Sequence, residues 1–207
     1  MMILLTVMEF LCGSLMFSYW LGFAVKKDLR VVGDSNPGAF NLWHAAGYKL
    51  GMLGIILDLT KGYLPLVLLV RMGVVSGMAI VPVAIAPILG HAFSPFMKFK
   101  GGKSIAVTFG VWSAVSNFEV SLAFAIILAI LSVAAKLLHG GKPITTEEDG
   151  FMVVMGMMIL GVYLYVRAYS LPFLLLWVMN LMLFIYVNRL KLYILFKTVS
   201  IKINQNI

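Results

Sequence analysis

Two glycine-rich, polar stretches hold the residues best suited to chemistry. The first reads Arg30-Val31-Val32-Gly33-Asp34-Ser35-Asn36-Pro37-Gly38-Ala39-Phe40-Asn41. The second reads Gly90-His91-Ala92-Phe93-Ser94-Pro95-Phe96-Met97-Lys98-Phe99-Lys100-Gly101-Gly102-Lys103-Ser104. Paired glycines let backbone N–H groups turn toward an anion without Cβ obstruction, and such nests bind phosphate. Lys98, Lys100 and Lys103 add positive charge, and Asn36 and Asn41 add neutral donors. Ser104 is expected to open a helix, whose N-terminal amides and dipole favour the same anion. Scattered lysines need no more explanation than contact with anionic lipid. Lys-Gly-Gly-Lys-Ser at a helix start points instead to phosphate.

Other chemistries lack their residues. Gly102-Lys103-Ser104 ends like a phosphate-binding P-loop, but that motif's first glycine would fall at Met97 and no strand precedes it. His44, His91 and His139 show no ligand spacing, so no metal is expected. The single cysteine, Cys12, excludes a disulfide framework and any CxxC redox motif. There is no GxSxG elbow and no HxxxxD pair, so the chemistry lacks a protein nucleophile. Asp58 and Lys61 lie three apart on one helical face and are able to pair. Such a pair serves either to lock helices together or to catalyse.

These stretches must be positioned by membrane helices. Hydrophobic residues make up 62% of the 207 and charged residues 12%, too few charges for a water-facing surface. Apolar runs of about 20 residues, the length that crosses a hydrocarbon core, recur along the chain. Seven spans are expected, near Ile3–Val25, Leu50–Val70, Met72–Leu89, Ser104–Ser116, Val120–Leu138, Phe151–Val166 and Leu171–Val187, forming one membrane domain over 1–207. The first span lacks a basic segment before it and is expected to be retained rather than cleaved. Glu9 is expected near the outer interface and Glu119 in an outer turn.

Charge sets the expected orientation. With the N-terminus outside, the inner segments hold Lys26, Lys27, Arg30 and Lys49, then Lys98, Lys100 and Lys103, then Lys136 and Lys142, then Arg189, Lys191, Lys197 and Lys202. Those are thirteen residues, against Arg71 and Arg167 outside and Lys61 within a span. Basic residues mark cytoplasmic loops, so the C-terminus is expected inside and both glycine-rich stretches share the cytoplasmic face. Residues 188–207 are expected to form an interfacial tail on the inner leaflet.

The motifs resemble the bacterial acyl-phosphate:glycerol-3-phosphate acyltransferases, the PlsY family. Gly13-Ser14-x-x-Phe17-x-Tyr19-x-x-Gly22 is similar to its first helix. Asp28-Leu29-Arg30 through Asn41 resembles its motif DIRxxGSGNxGATN, and Asp58-x-x-Lys61-Gly62 its DxxKG. Gly90-His91-x-Phe93 through Ala106 resembles GHxFPxFxxFKGGKGVAT. The resemblance is specific from about Gly13 to Gly110 and then weakens to topology. It implies seven helices in a bacterial inner membrane and a site facing the cytoplasm. It further implies transfer of a fatty acyl group from acyl phosphate to the sn-1 hydroxyl of glycerol 3-phosphate, without cofactor, metal or nucleic acid.

The resemblance places Lys103, Asp34 and Ser35 in catalysis. Asn36, Gly38, Asn41, His44, His91, Lys100, Gly101, Gly102, Ser104, Asn188 and Arg189 would bind substrate or phosphate, with Asp58 and Lys61 in support. Departures mark a divergent branch. Asp34 stands for the motif's serine, with Ser35 beside it, and His44 stands for an arginine. Ser104 replaces a glycine, and the late motif HRxN survives only as Asn188-Arg189-Leu190-Lys191. Two other readings stay open: a small transporter of a phosphorylated metabolite, and a catalytically silent membrane scaffold. Acyl-chain preference and oligomeric state are not written in these motifs.

Overall fold

A computed structural model describes residues 1–205, the side chains of 199 and 202–205 excepted. The side chain of Lys202 and residues 206–207, all assigned above to the tail, lie outside the described residues. Among the described residues the fold is entirely helical. Its nine helices are α1 (Met2–Ser14), α2 (Phe17–Ala24), α3 (Ala39–Ala46), α4 (Tyr48–Arg71), α5 (Ile80–Ala92), α6 (Ile105–Ser116), α7 (Glu119–Leu138), α8 (Thr146–Val166) and α9 (Leu171–Gln205). Six stretches are long and apolar enough to cross a membrane: Met2–Ala24, Tyr48–Arg71, Gly77–Met97, Glu119–Leu138, Thr146–Val166 and Leu171–Thr198. The expected fourth span is the shorter apolar helix α6, 12 residues or about 18 Å long.

The first span is broken rather than continuous. Leu15 is extended (φ −63°, ψ 120°), which separates α1 from α2. Carbonyls freed within lipid must find other donors. Ser94 Oγ donates to Ser14 O at 2.7 Å, and Lys61 Nζ donates to Leu15 O. Glu9 also differs from expectation: it lies mid-helix in α1 and is 2% exposed, packed inside the bundle and not at an interface. The third span starts later than Met72, because Gly73 and Gly77 take positive φ values (69° and 56°) that a helix cannot continue through. At the C-terminus α9 runs on as one 35-residue helix, with no break at 188.

Close approach of α4 and α6 builds the centre of the bundle. A Cβ at Gly62 would collide with Val107 O, and one at Gly110 with Leu59 O, so small residues set the helix spacing. Trp112, Phe124 and Phe184 fill the core fully buried. Trp112 Nε1 donates to Asn180 Oδ1 at 3.1 Å, joining α6 to α9. Outward faces carry exposed Leu122, Ile126, Ile130, Val162 and Met182, the pattern of a lipid-facing surface. At one end Glu119 meets Arg167 at 3.0 Å and accepts from Tyr163 OH at 2.9 Å.

Candidate active site

The first glycine-rich stretch folds as a knot around Asn41. Gly33 and Ser35 take left-handed φ (54° and 61°), turning the chain so that its carbonyls point inward. Buried Asn41 on α3 then shares the two hydrogens of Nδ2 among Val32 O (2.7 Å), Asn36 O (2.9 Å) and Asp34 Oδ1 (3.1 Å). The same Oδ1 accepts from Asn36 N at 3.3 Å. Asp34 Oδ2 is held from the other side by Lys103 Nζ at 2.8 Å and Lys191 Nζ at 2.5 Å. Lys103 also reaches Asp149 at 3.4 Å, at the start of α8. Burial alone would raise the Asp34 carboxyl, but the two ammonium groups outweigh it and hold it well below the usual carboxylate range. Burial likewise opposes the charge on Lys103, and Asp34 with Asp149 keeps it above its ordinary value.

The second stretch is fixed differently from the expected nest. Gly101 N donates to Ala92 O and Gly102 N to His91 O, each at 3.0 Å. Those amides close off the end of α5 and are not turned toward an anion. Glycine is required here for close approach: a Cβ on Gly101 would collide with His91 O, and one on Gly102 with the His91 ring. Ser104 is the left-handed residue before α6, and its Oγ donates to Ile88 O at 2.8 Å. What the turn delivers is Lys103.

Behind it lies a buried polar chain. Lys61 donates its three hydrogens to Asp58 Oδ1 (2.7 Å), His91 Nδ1 (2.8 Å) and Leu15 O. Asp58 Oδ2 accepts from Ser18 Oγ at 2.6 Å. With all of the ammonium N–H groups donated, His91 Nδ1 accepts, which places the ring's own N–H on Nε2, beside Gly102. Helices α2, α4 and α5 are thereby tied to the back of the site.

Two cavities meet at Asp34 and Lys103. One, about 330 Å³, is walled by Trp43, Ile55, Ile105 and Phe109, with Asn36, Gly38, Asp58, His91 and Ser104 at its polar parts. The other, about 540 Å³, is lined by Asn41, His44, Thr145 and Thr146. Asp34, Phe40, Lys103 and Asp149 border both and form the partition. Thr145 belongs to a capping box with Glu148 that starts α8. Of the residues singled out from sequence, Ser35 and Lys100 are exposed and line neither cavity. Asn188 is buried with Nδ2 donating to Phe184 O, and Arg189 lies over the Tyr186 ring at 4.2 Å. Helix α9 instead contributes Lys191, which lines neither cavity but reaches Asp34 Oδ2 between them; sequence reasoning passed it over, as it did Asp149, Trp43 and Thr146. The available signal for Lys191 was its spacing from Asn188, three residues and hence one helical face.

A sequence model described as glycerol-3-phosphate acyltransferase matches residues 3–207. The chain is 38% identical over 192 residues to glycerol-3-phosphate acyltransferase 1 of Thermotoga maritima, spanning 91% of this chain and 94% of that one. This chain belongs to the glycerol-3-phosphate acyltransferase family. The Aquifex aeolicus family member is 35% identical over 126 residues, 61% of this chain and 66% of the relative. The fold is similar to that of PlsY (YgiH), an integral membrane glycerol 3-phosphate acyltransferase, crystallised in a glycerol 3-phosphate form. That likeness has a TM-score of 0.81 at 27% identity, covering 95% of this chain and 92% of that one. PlsY in its lysophosphatidic acid form gives 0.79 at 26%. Family membership extends through α8 and α9, where the motif resemblance had faded.

Proposed function

We propose that this family member transfers a fatty acyl group from acyl phosphate to the sn-1 hydroxyl of glycerol 3-phosphate, the first step of phospholipid synthesis. The observation that carries the reading is the Asp34–Lys103 partition between two cavities, one walled by Trp43, Ile55, Ile105 and Phe109 and the other lined by Asn41, His44, Thr145 and Thr146. A lipid-soluble donor suits the first, with its chain against Trp43, Ile55 and Phe109. A small phosphorylated alcohol suits the second, beside Asn41, His44 and Thr146.

An acyl phosphate is a mixed anhydride and already activated, so no acyl-enzyme is needed. The sn-1 oxygen attacks the carbonyl carbon, the new ester C–O bond forms, and the bond to the phosphate oxygen breaks. Inorganic phosphate departs with the electron pair, and lysophosphatidic acid remains in the membrane. Lys103 stabilises the negative charge that moves onto the departing phosphate, and the site acts chiefly by positioning. The hydroxyl proton passes to substrate phosphate, as the family resemblance implies.

Purified protein in lipidic micelles, given palmitoyl phosphate and glycerol 3-phosphate, is expected to release phosphate and form lysophosphatidic acid without coenzyme A. Uptake of glycerol 3-phosphate into vesicles without acylation would overturn the reading in favour of a transporter. The silence of both assays would favour a scaffold.

The reading places the protein in a bacterial inner membrane with seven spans, its N-terminus outside, and its cavities at the cytoplasmic face. The charge distribution supports this orientation, and the meeting of Glu119 with Arg167 puts their two turns at one end of the bundle. With Cys12→Ser as background, Lys100→Cys and Met72→Cys, both exposed positions, are expected to label from opposite sides of intact cells. Same-sided labelling would sink the orientation.

A further inference from the structure

Lys191 reaches Asp34 from 157 residues away in sequence, and its path is built. Gly150 at the start of α8 has no side chain to block it: a Cβ there would lie 3.1 Å from Lys191 Cδ and 2.9 Å from Asn188 Oδ1. The side chain is largely enclosed, at 18% exposure, and so is Lys103 at 16%. Both ammonium groups converge on one oxygen, Asp34 Oδ2. Two cations so close repel each other unless an anion sits between them. A carboxylate with one negative charge is the minimum that holds them, and Asp149 adds only a longer contact to Lys103 from a half-exposed position. An oxygen gripped by two ammonium groups at the partition between two cavities is the arrangement a phosphate oxygen would take up with more charge to offer. Neither family membership nor the glycine-rich motifs assign this lysine a role.

We propose that Lys191 and Lys103 together grip the phosphate of glycerol 3-phosphate, Lys103 also serving the departing phosphate because it borders both cavities, with Asp34 as the internal anion that keeps the pair assembled until the acceptor phosphate displaces it. Lys191 is then a substrate-binding residue contributed by α9, and Asp34 a positioning residue. This rests on the acyl-transfer reading for the identity of the acceptor, though not for the phosphate site itself.

The test compares wild type with Lys191→Gln, Lys191→Arg, Asp34→Asn and the double variant Asp34→Asn/Lys191→Gln. For each, the KM for glycerol 3-phosphate and kcat are measured with palmitoyl phosphate as donor. Binding of inorganic phosphate is titrated separately by calorimetry without any donor. Lys191→Gln is expected to raise the acceptor KM and weaken phosphate binding by about ten- to hundredfold, the worth of one charge-assisted hydrogen bond. Its kcat is expected to stay within about threefold of wild type, and Lys191→Arg is expected to preserve most of the affinity, since a guanidinium retains the charge.

The double variant separates binding from mere neutralisation of Asp34. It is expected to bind phosphate about ten- to hundredfold more weakly than Asp34→Asn alone, because Lys191 still donates to the phosphate when no carboxylate competes for it. Equal affinity in the double variant and in Asp34→Asn would overturn the proposal, because it would make Lys191 only a counter-ion. Unchanged affinity in Lys191→Gln would overturn it as well. A wild type that binds phosphate through Lys191 but transfers no acyl group would sink the acyl-transfer reading and leave this site standing.

Discussion

Replacing Lys103 with alanine is expected to lower turnover by about ten- to hundredfold while leaving the bundle folded. One charge-assisted contact to a phosphate oxygen contributes roughly 1.5–3 kcal/mol, and each 1.36 kcal/mol is tenfold in rate. The fold should survive because Lys191 still holds Asp34 Oδ2 and Asn41 still holds its partner oxygen. The matched control is Lys197→Ala, an exposed position on α9 away from both cavities. Phosphate release with saturating donor and acceptor measures the effect. If Lys103→Ala costs no more than Lys197→Ala, Lys103 has no part in the chemistry.

The largest expected effect on stability comes from Asp58 and Lys61. Both are within 2% of complete side-chain burial, and each is the other's counter-charge. Removing one partner of a buried pair leaves an uncompensated charge and costs about 3–5 kcal/mol. Asp58→Ala strands the Lys61 ammonium and also frees Ser18 Oγ. Lys61→Met strands the Asp58 carboxylate, and with it Leu15 O and His91 Nδ1 lose their donor. Each single variant is expected to lower the midpoint of thermal unfolding in detergent by roughly 6–20 degrees or to fail to accumulate. The double variant should cost clearly less than the two singles together, because no buried charge is then left alone. Strict additivity would mean that the two residues do not act as a pair.

The sequence made the helices legible because lipid demands long apolar runs, and such runs are visible without knowing what they pack against. Asp58 and Lys61 were legible as a pair because a three-residue spacing dictates a shared face. Lys103 was legible because charge, glycines and a helix start coincide within five residues. Other features depend on partners far along the chain. The Gly101 and Gly102 amides look available locally, and only the end of α5 shows that His91 and Ala92 have taken them. Glu9 looks like an interfacial acid until the bundle closes around it. Lys191 looks like one more cytoplasmic lysine, since nothing local signals that Gly150 opens a route from α9 to Asp34.

The break between α1 and α2 bears on how this protein is assembled in time. The donors that cap the broken end are supplied by Lys61 and Ser94, 46 and 80 residues further along the chain. A first span that enters lipid before α4 and α5 have docked therefore lacks both donors. Until they arrive, it has only two ways to avoid bare carbonyls in hydrocarbon: to close the gap as an unbroken helix, or to wait with the gap near water. The native kink is thus a late event, set when α4 and α5 dock. A chain truncated before Ser94 would hold a first span of the right sequence in the wrong shape. Since Lys61 closes that kink and orients His91 behind the cavities at once, maturation of the first span and completion of the site would occur in the same step.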